Sequence, residues 1–149
     1  MASGAGALTT DEGSGTDEQG TEAGRRVSSG GPWEARYGYS RVAVAGDSAY
    51  VAGTTDAGPD GSSRHPGDPA GQARAALGII ELALREAGFS LADVVRTRMY
   101  VTDAADIGPV AEVHGEVFRL VQPASTALVV KALIDPTLLV EIEADAKRS

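Results

Sequence analysis

The sequence predicts an α+β domain, and three observations predict it. Alternating or β-rich runs lie near both ends of the region from Trp33 onward, two segments with apolar residues at helical spacing lie between them, and the element order is ββ-α-β-α-ββ. That order gives a mixed sheet with two helices on one face. The chain has 149 residues, enough for one domain with a single hydrophobic core.

The elements follow in order. Residues 1–32 are mostly Gly, Ser, Thr, Ala and acidic side chains, with one Leu, one Val and no aromatic. Such a stretch buries too little apolar surface to offset its ordering entropy, so it is expected to be a disordered tail, with the domain spanning 33–149. Ser40 to Ala45 alternates polar and apolar residues, Gly46-Asp47 supplies a turn, and Ala49 to Ala52 resumes the apolar character, which predicts a β-hairpin. Thr54 to Pro69, rich in Gly, Pro, Asp and Ser, reads as a loop, with Gly58 to Gly71 flexible. A helix then opens at Asp68-Pro69, with Asp as N-cap and Pro at the first helical position. Ala73, Ala76, Leu77, Ile80, Leu84 and Ala87 form its apolar face, and Gly88 ends it. Val94 to Thr102 is a strand, Asp103 to Pro109 a turn, and Val110 to Val121 a second helix. Thr126 to Ala132 and Leu138 to Ala144 are the last two strands.

Composition excludes several classes of function. With 13 basic and 21 acidic side chains the net charge is −8, which repels phosphate backbones, and no basic stripe is present, so nucleic-acid binding is not expected. The longest apolar runs are far shorter than the roughly 20 residues of a membrane span, and no secretion signal is read at the N-terminus. A cytoplasmic protein without membrane attachment is expected. There is no cysteine, hence no disulfide and no thiolate metal site. His65 and His114 lack metal-ligand spacing, and no P-loop, GxGxxG or G-x-S-x-G motif occurs, so neither a metal nor a cofactor is expected.

Several short strings, in order and at suitable separations over residues 37–146, resemble the Rid (YjgF/UK114, reactive-intermediate deaminase) family. They are Gly38-Tyr39-Ser40, Tyr50 to Thr54, Gly67-Asp68 with Gln72, Glu86-Ala87-Gly88 with Leu91 and Asp93 to Val95, Tyr100 to Asp103, Pro123-Ala124 and Val140 to Ala144. The resemblance implies a chorismate-mutase-like fold and a homotrimer with ligand clefts between neighbouring subunits. Trimer formation is expected to bury the sheet face the helices leave open, in keeping with the apolar alternation of the terminal strands. It also implies hydrolysis of enamines and imines derived from amino acids, releasing ammonia and a 2-keto acid. One departure matters most. The family grips a substrate carboxylate with the arginine of a Pro-Ala-Arg-Ser motif, and here Pro123-Ala124-Ser125-Thr126 places Ser125 at that position. A neutral hydroxyl does not replace a guanidinium fork, which puts the standard amino-acid-derived substrate in doubt.

The same resemblance nominates the site residues. Glu141 matches the glutamate that positions the hydrolytic water and is the candidate general base, although a carboxylate alternating with Glu143 on a strand also suits a solvated or interface position. Tyr39 matches a cleft tyrosine, or is a packed strand-edge aromatic. Gly53 and Thr54 offer polar groups to a ligand, or simply end a strand. His114, on a helix beside apolar residues, is either a proton shuttle or a satisfied boundary histidine. Arg98 is either a relocated anion-binding charge or a salt-bridged surface residue. Ser125 and Thr126 would complete the wall. The leading expectation is a Rid-like hydrolase of a small imine, enamine or related carbonyl compound. The alternatives are a non-catalytic trimeric small-molecule binder and, disfavoured by the acidic charge, an endoribonuclease or translation inhibitor.

Overall fold

The structure, a computed structural model, describes residues 24–149; the expectation for the first 23 residues lies outside the described residues. The elements are β1 (Arg26–Val27), α1 (Pro32–Tyr37), β2 (Val42–Ala45), β3 (Ser48–Thr54), α2 (Pro69–Glu86), β4 (Val94–Val101), α3 (Ile107–Phe118), β5 (Ala124–Val129) and β6 (Val140–Lys147). They form a six-stranded sheet of order β1-β2-β3-β6-β4-β5, antiparallel throughout except for the parallel β4–β5 pair that α3 connects. The layout is the expected mixed α+β sheet.

The boundary of the supposed tail needs correction. Arg26–Val27 pair with Val42 and Ala43 as an edge strand, and Val27 is buried in the core. The lone valine of an otherwise polar stretch, invisible to a compositional argument, finds its partners through tertiary packing. Pro32–Tyr37, unassigned from sequence, forms a helical turn and a half with Pro at its start and Gly38 at φ +73° closing it.

Local signals fixed α2 well. The Asp68 carboxylate accepts the Gly71 N–H at 2.9 Å. At the other end Gly88 adopts φ +83°, the Phe89 N–H reaches the Leu84 carbonyl at 2.8 Å, and the Gly88 N–H reaches that of Arg85 at 3.0 Å. This is a Schellman ending, and its following residue, Phe89, is buried. Asp68→Ala is therefore expected to lower the unfolding free energy by about 1 kcal/mol in urea titrations, without touching the site described below. The second helix starts earlier than the sequence suggests, at Ile107. Pro109 sits inside its first turn, where a missing N–H breaks no intrahelical bond. The last two strands are likewise displaced from their expected bounds, β5 to earlier residues and β6 to later ones.

The loop before α2 is tied down rather than merely flexible. Asp56, buried, accepts from Ser63 Oγ at 2.8 Å and from the His65 N–H at 3.0 Å. Gln72, also buried, donates to the carbonyls of His65 and Thr137 and accepts the Leu139 N–H, joining α2, this loop and the lead into β6.

Side-chain alternation separates the two faces of the sheet. Val140, Ile142, Ala144 and Ala146 of β6 are buried with Val51, Met99 and Val101 in the core that α2 and α3 cover. Their neighbours Glu141, Glu143 and Asp145 stand on the opposite face, in register with Tyr100, Arg98 and Arg96 of β4. The apolar half of the β6 alternation thus serves the helices and not the open face, which is charged. That face also carries exposed Tyr50, opposite Asp145, and Leu128 of the edge strand β5, opposite Tyr100, each 50 % exposed; Val129 (51 %) is exposed at the same edge.

Candidate functional site

Glu141 lies on β6, between β3 and β4, near the point where a register shift lets β3 curl away between Val51 and Thr54. Gly53 lies against it. A methyl group at Gly53 would stand 2.6 Å from Glu141 Oε1 and 3.0 Å from its carboxyl carbon. Burial raises the Glu141 carboxyl above its ordinary range, the Arg41 guanidinium opposes that rise, and the neighbouring Glu143 adds to it.

Arg41 is a residue of the Glu141 neighbourhood that sequence reasoning missed. In the hairpin alternation it reads as an outward polar position, yet its side chain is only 12 % exposed. Its Nη1 donates to the Gly53 carbonyl at 2.7 Å and to Thr54 Oγ1 at 3.0 Å. Its Nε lies 3.6 Å from Oε1 of Glu34, itself 4 % exposed, and has no hydrogen-bond partner among the described residues. Burial alone would raise the Glu34 carboxyl, but hydrogen bonds from Ser28 and Ser29, with Arg41 adding to them, outweigh it and hold Glu34 below its usual value. A signal was present in the proximity of Ser28-Ser29, Glu34 and Arg41 to the Gly38-Tyr39-Ser40 string, but it carries no recognisable periodicity.

The other nominated residues divide by face. Tyr39 is exposed and lines a broad concavity of about 700 Å³ with Ser40, Ala43, Tyr50, Ala52 and Glu143. The Arg41 guanidinium carbon lies 6.0 Å from its ring centroid. Thr54 is buried, donates to the Ala52 carbonyl at 2.8 Å and accepts from Arg41, so its hydroxyl is committed to the fold and not presented to a ligand. Arg98 is flanked by Glu143 and Asp145, each at 3.5 Å, and so is not a free cation. Tyr100 donates to Glu143 at 2.7 Å, which raises its phenol. Thr126 is opposite Arg98 in the β4–β5 register and is exposed on the same face as Glu141.

His114 and Ser125 lie on the other side of the sheet. Nε2 of His114 is 2.7 Å from Thr97 Oγ1, which is in turn 2.8 Å from Ser125 Oγ. Burial lowers the His114 pKa and keeps the imidazole neutral near pH 7. Within one chain the two nominated catalytic groups are thus not brought together, because Glu141 and His114 occupy opposite faces. A β-strand sends neighbouring side chains to opposite sides, and no reading of residue types along the chain reveals which pairs share a face across strands. Among the described residues no group of three His, Cys, Asp or Glu is placed to hold a metal, and no helix is long and apolar enough to cross a membrane.

Comparison with known proteins places this arrangement. The sequence model of the family described as Endoribonuclease L-PSP matches residues 32–148. SCO2049 of Streptomyces coelicolor is 41% identical over 128 residues, covering 86% of this chain and 95% of that protein. The 3-aminoacrylate deaminase RutC of Acinetobacter baylyi is 33% identical over 104 residues, covering 70% and 82%. The crystal structure of Rv2704 of Mycobacterium tuberculosis, a member of the YjgF/YER057c/UK114 family, superposes with a TM-score of 0.77 at 48% identity, over 85% of this chain and 100% of that one. A Glu141 carboxylate packed on Gly53 in a β3–β6–β4 frame is therefore carried by a chain that belongs to the Endoribonuclease L-PSP family, the YjgF/YER057c/UK114 proteins.

Proposed function

We propose that the protein hydrolyses a small reactive imine or enamine in a cleft assembled between copies of the chain, as a homotrimer. The observation that carries this reading is the desolvated carboxylate of Glu141, raised by burial and seated on a glycine that leaves it room. A carboxyl so tuned is suited to take a proton from water as the oxygen adds to the C=N carbon, and to return one as nitrogen leaves as ammonia. The deaminase relative supports this reaction class. Assembly between copies is supported by the separation of Glu141 from Ser125 and His114 on opposite faces, and by the exposed Leu128 and Val129 at the β5 edge, which a neighbour would cover. Because Ser125 stands where the Rid resemblance implies a carboxylate-gripping arginine, the substrate in this reading is not 2-aminoacrylate but a compound whose recognition needs no such clamp. RNA cleavage is not favoured, since the open face presents Glu141, Glu143 and Asp145 and the net charge is −8.

The test is release of ammonia from freshly generated imines, one neutral and one carrying a carboxylate, with and without protein. Acceleration of the neutral imine is expected. If neither imine is accelerated, while a small molecule still raises the melting temperature, the protein is a binder and not a hydrolase.

A further inference from the structure

Thr97 is 0 % exposed, yet its hydroxyl bridges His114 and Ser125. A hydroxyl has one proton to give and lone pairs to receive with, so this chain can run in two senses. In one, Ser125 donates to Thr97 and Thr97 donates to Nε2 of a His114 protonated on Nδ1, leaving lone pairs on the outward side of Ser125. In the other, His114 donates from Nε2 to Thr97 and Thr97 to Ser125, whose own proton then points outward. Neither sense carries net charge. The Phe118 ring, 4.7 Å from that of His114 between centroids, helps to exclude water from the imidazole end. Beside the chain a recess of about 250 Å³ opens, lined by His114, Gly115, Phe118, Arg119, Gln122 and Pro123.

We infer that the Ser125–Thr97–His114 chain is a subsite for an uncharged polar group of the ligand, such as a carbonyl or an amide, with Ser125 as donor or acceptor according to what it meets. A carboxylate fits this subsite poorly. It can only accept, and its charge meets no cation within the chain. Arg119, the cation at the recess, follows the C-terminal end of α3, where the helix carbonyls disfavour an anion. The inference rests on the imine-hydrolase reading for where the ligand sits, and it names the kind of group that the Ser125 replacement selects.

The experiment measures dissociation constants of the full chain for pyruvamide and pyruvate, which are close in size and differ in charge. Pyruvamide is expected to bind about tenfold more tightly. Thr97→Val, and independently the exposed Ser125→Ala, are expected to erase the preference, whereas Thr97→Ser keeps it. In parallel, the ¹⁵N shifts of the His114 ring are expected to move on adding pyruvamide to the wild type and to stay still in Thr97→Val. Tighter binding of pyruvate, its loss on Arg119→Ala, a preference that survives both Thr97→Val and Ser125→Ala, or unmoved His114 signals in the wild type would each overturn the inference. The two proposals fail differently. Absence of ammonia release from any imine with the amide preference intact removes the hydrolase and leaves the subsite. Rapid turnover of a carboxylate-bearing enamine without that preference does the reverse.

Discussion

Glu141→Gln is expected to cut ammonia release sharply while raising the melting temperature. A general base contributes typically 10²- to 10⁴-fold, so kcat should fall by about that factor. The stability change has the opposite sign because the wild-type carboxylate is ionised against a desolvation penalty that a neutral amide avoids. A rise of about 2–4 °C is expected at neutral pH. The sign depends on pH in a definite way. Since the folded carboxyl titrates higher than the unfolded one, its favourable contribution is complete below the unfolded value and is lost as pH rises through the folded value. The advantage of Gln should therefore be present near pH 7.5 and vanish near pH 4, about the unperturbed carboxylate value. Melting curves of the two proteins at those two pH values check this. Unchanged turnover in the Gln variant would remove Glu141 from the chemistry.

Gly53→Ala should reduce kcat/KM by about 10²-fold with little loss of stability. The backbone at Gly53 is not in the left-handed region, so alanine adopts it without strain. The new methyl meets the end of the Glu141 side chain, at 2.6 Å from Oε1, and that flexible end must swing aside. Displacing a reacting group by an ångström or so is enough for a loss of this size. Steady-state kinetics together with a thermal melt separate the two effects. The double variant Gly53→Ala/Glu141→Gln provides the control: the alanine should cost nothing further once the carboxylate is gone. A single Gly53→Ala variant with full activity would show that the position of the carboxylate over β3 does not matter.

What could be read from the chain beforehand followed the range of the signals. The Gly46 turn, the Asp68 cap and the Gly88 ending are set by residues within a few positions of one another, and the corresponding elements were legible. Val27 was not, because its burial depends on Val42, fifteen positions further on. Nor does the sequence single out Arg41 and Glu34, for a related reason: only the folded chain shows that β3 bends at Gly53 and presents its carbonyl to the guanidinium. Thr97, between two arginines, was passed over, although its phase with Met99 and Val101 marked it as inward-facing. Glu141 and Ser125 stand at positions that family strings mark and His114 is an apparent replacement on a helix; their distribution over two faces of the sheet is contained in none of these signals.

The short N-terminal strand acts at a distance. Ser28 and Ser29, just past it, clasp Glu34; Glu34 faces Arg41; Arg41 holds the carbonyl of the glycine beneath Glu141. Shortening the chain to begin at Trp33 would leave the sheet order of the remaining five strands intact on paper, yet it would unfasten the first link of this relay and leave two buried charges, Glu34 and Arg41, to rearrange near Glu141. Those polar residues, which look dispensable by composition, are the hinge pin on which the setting of Glu141 hangs.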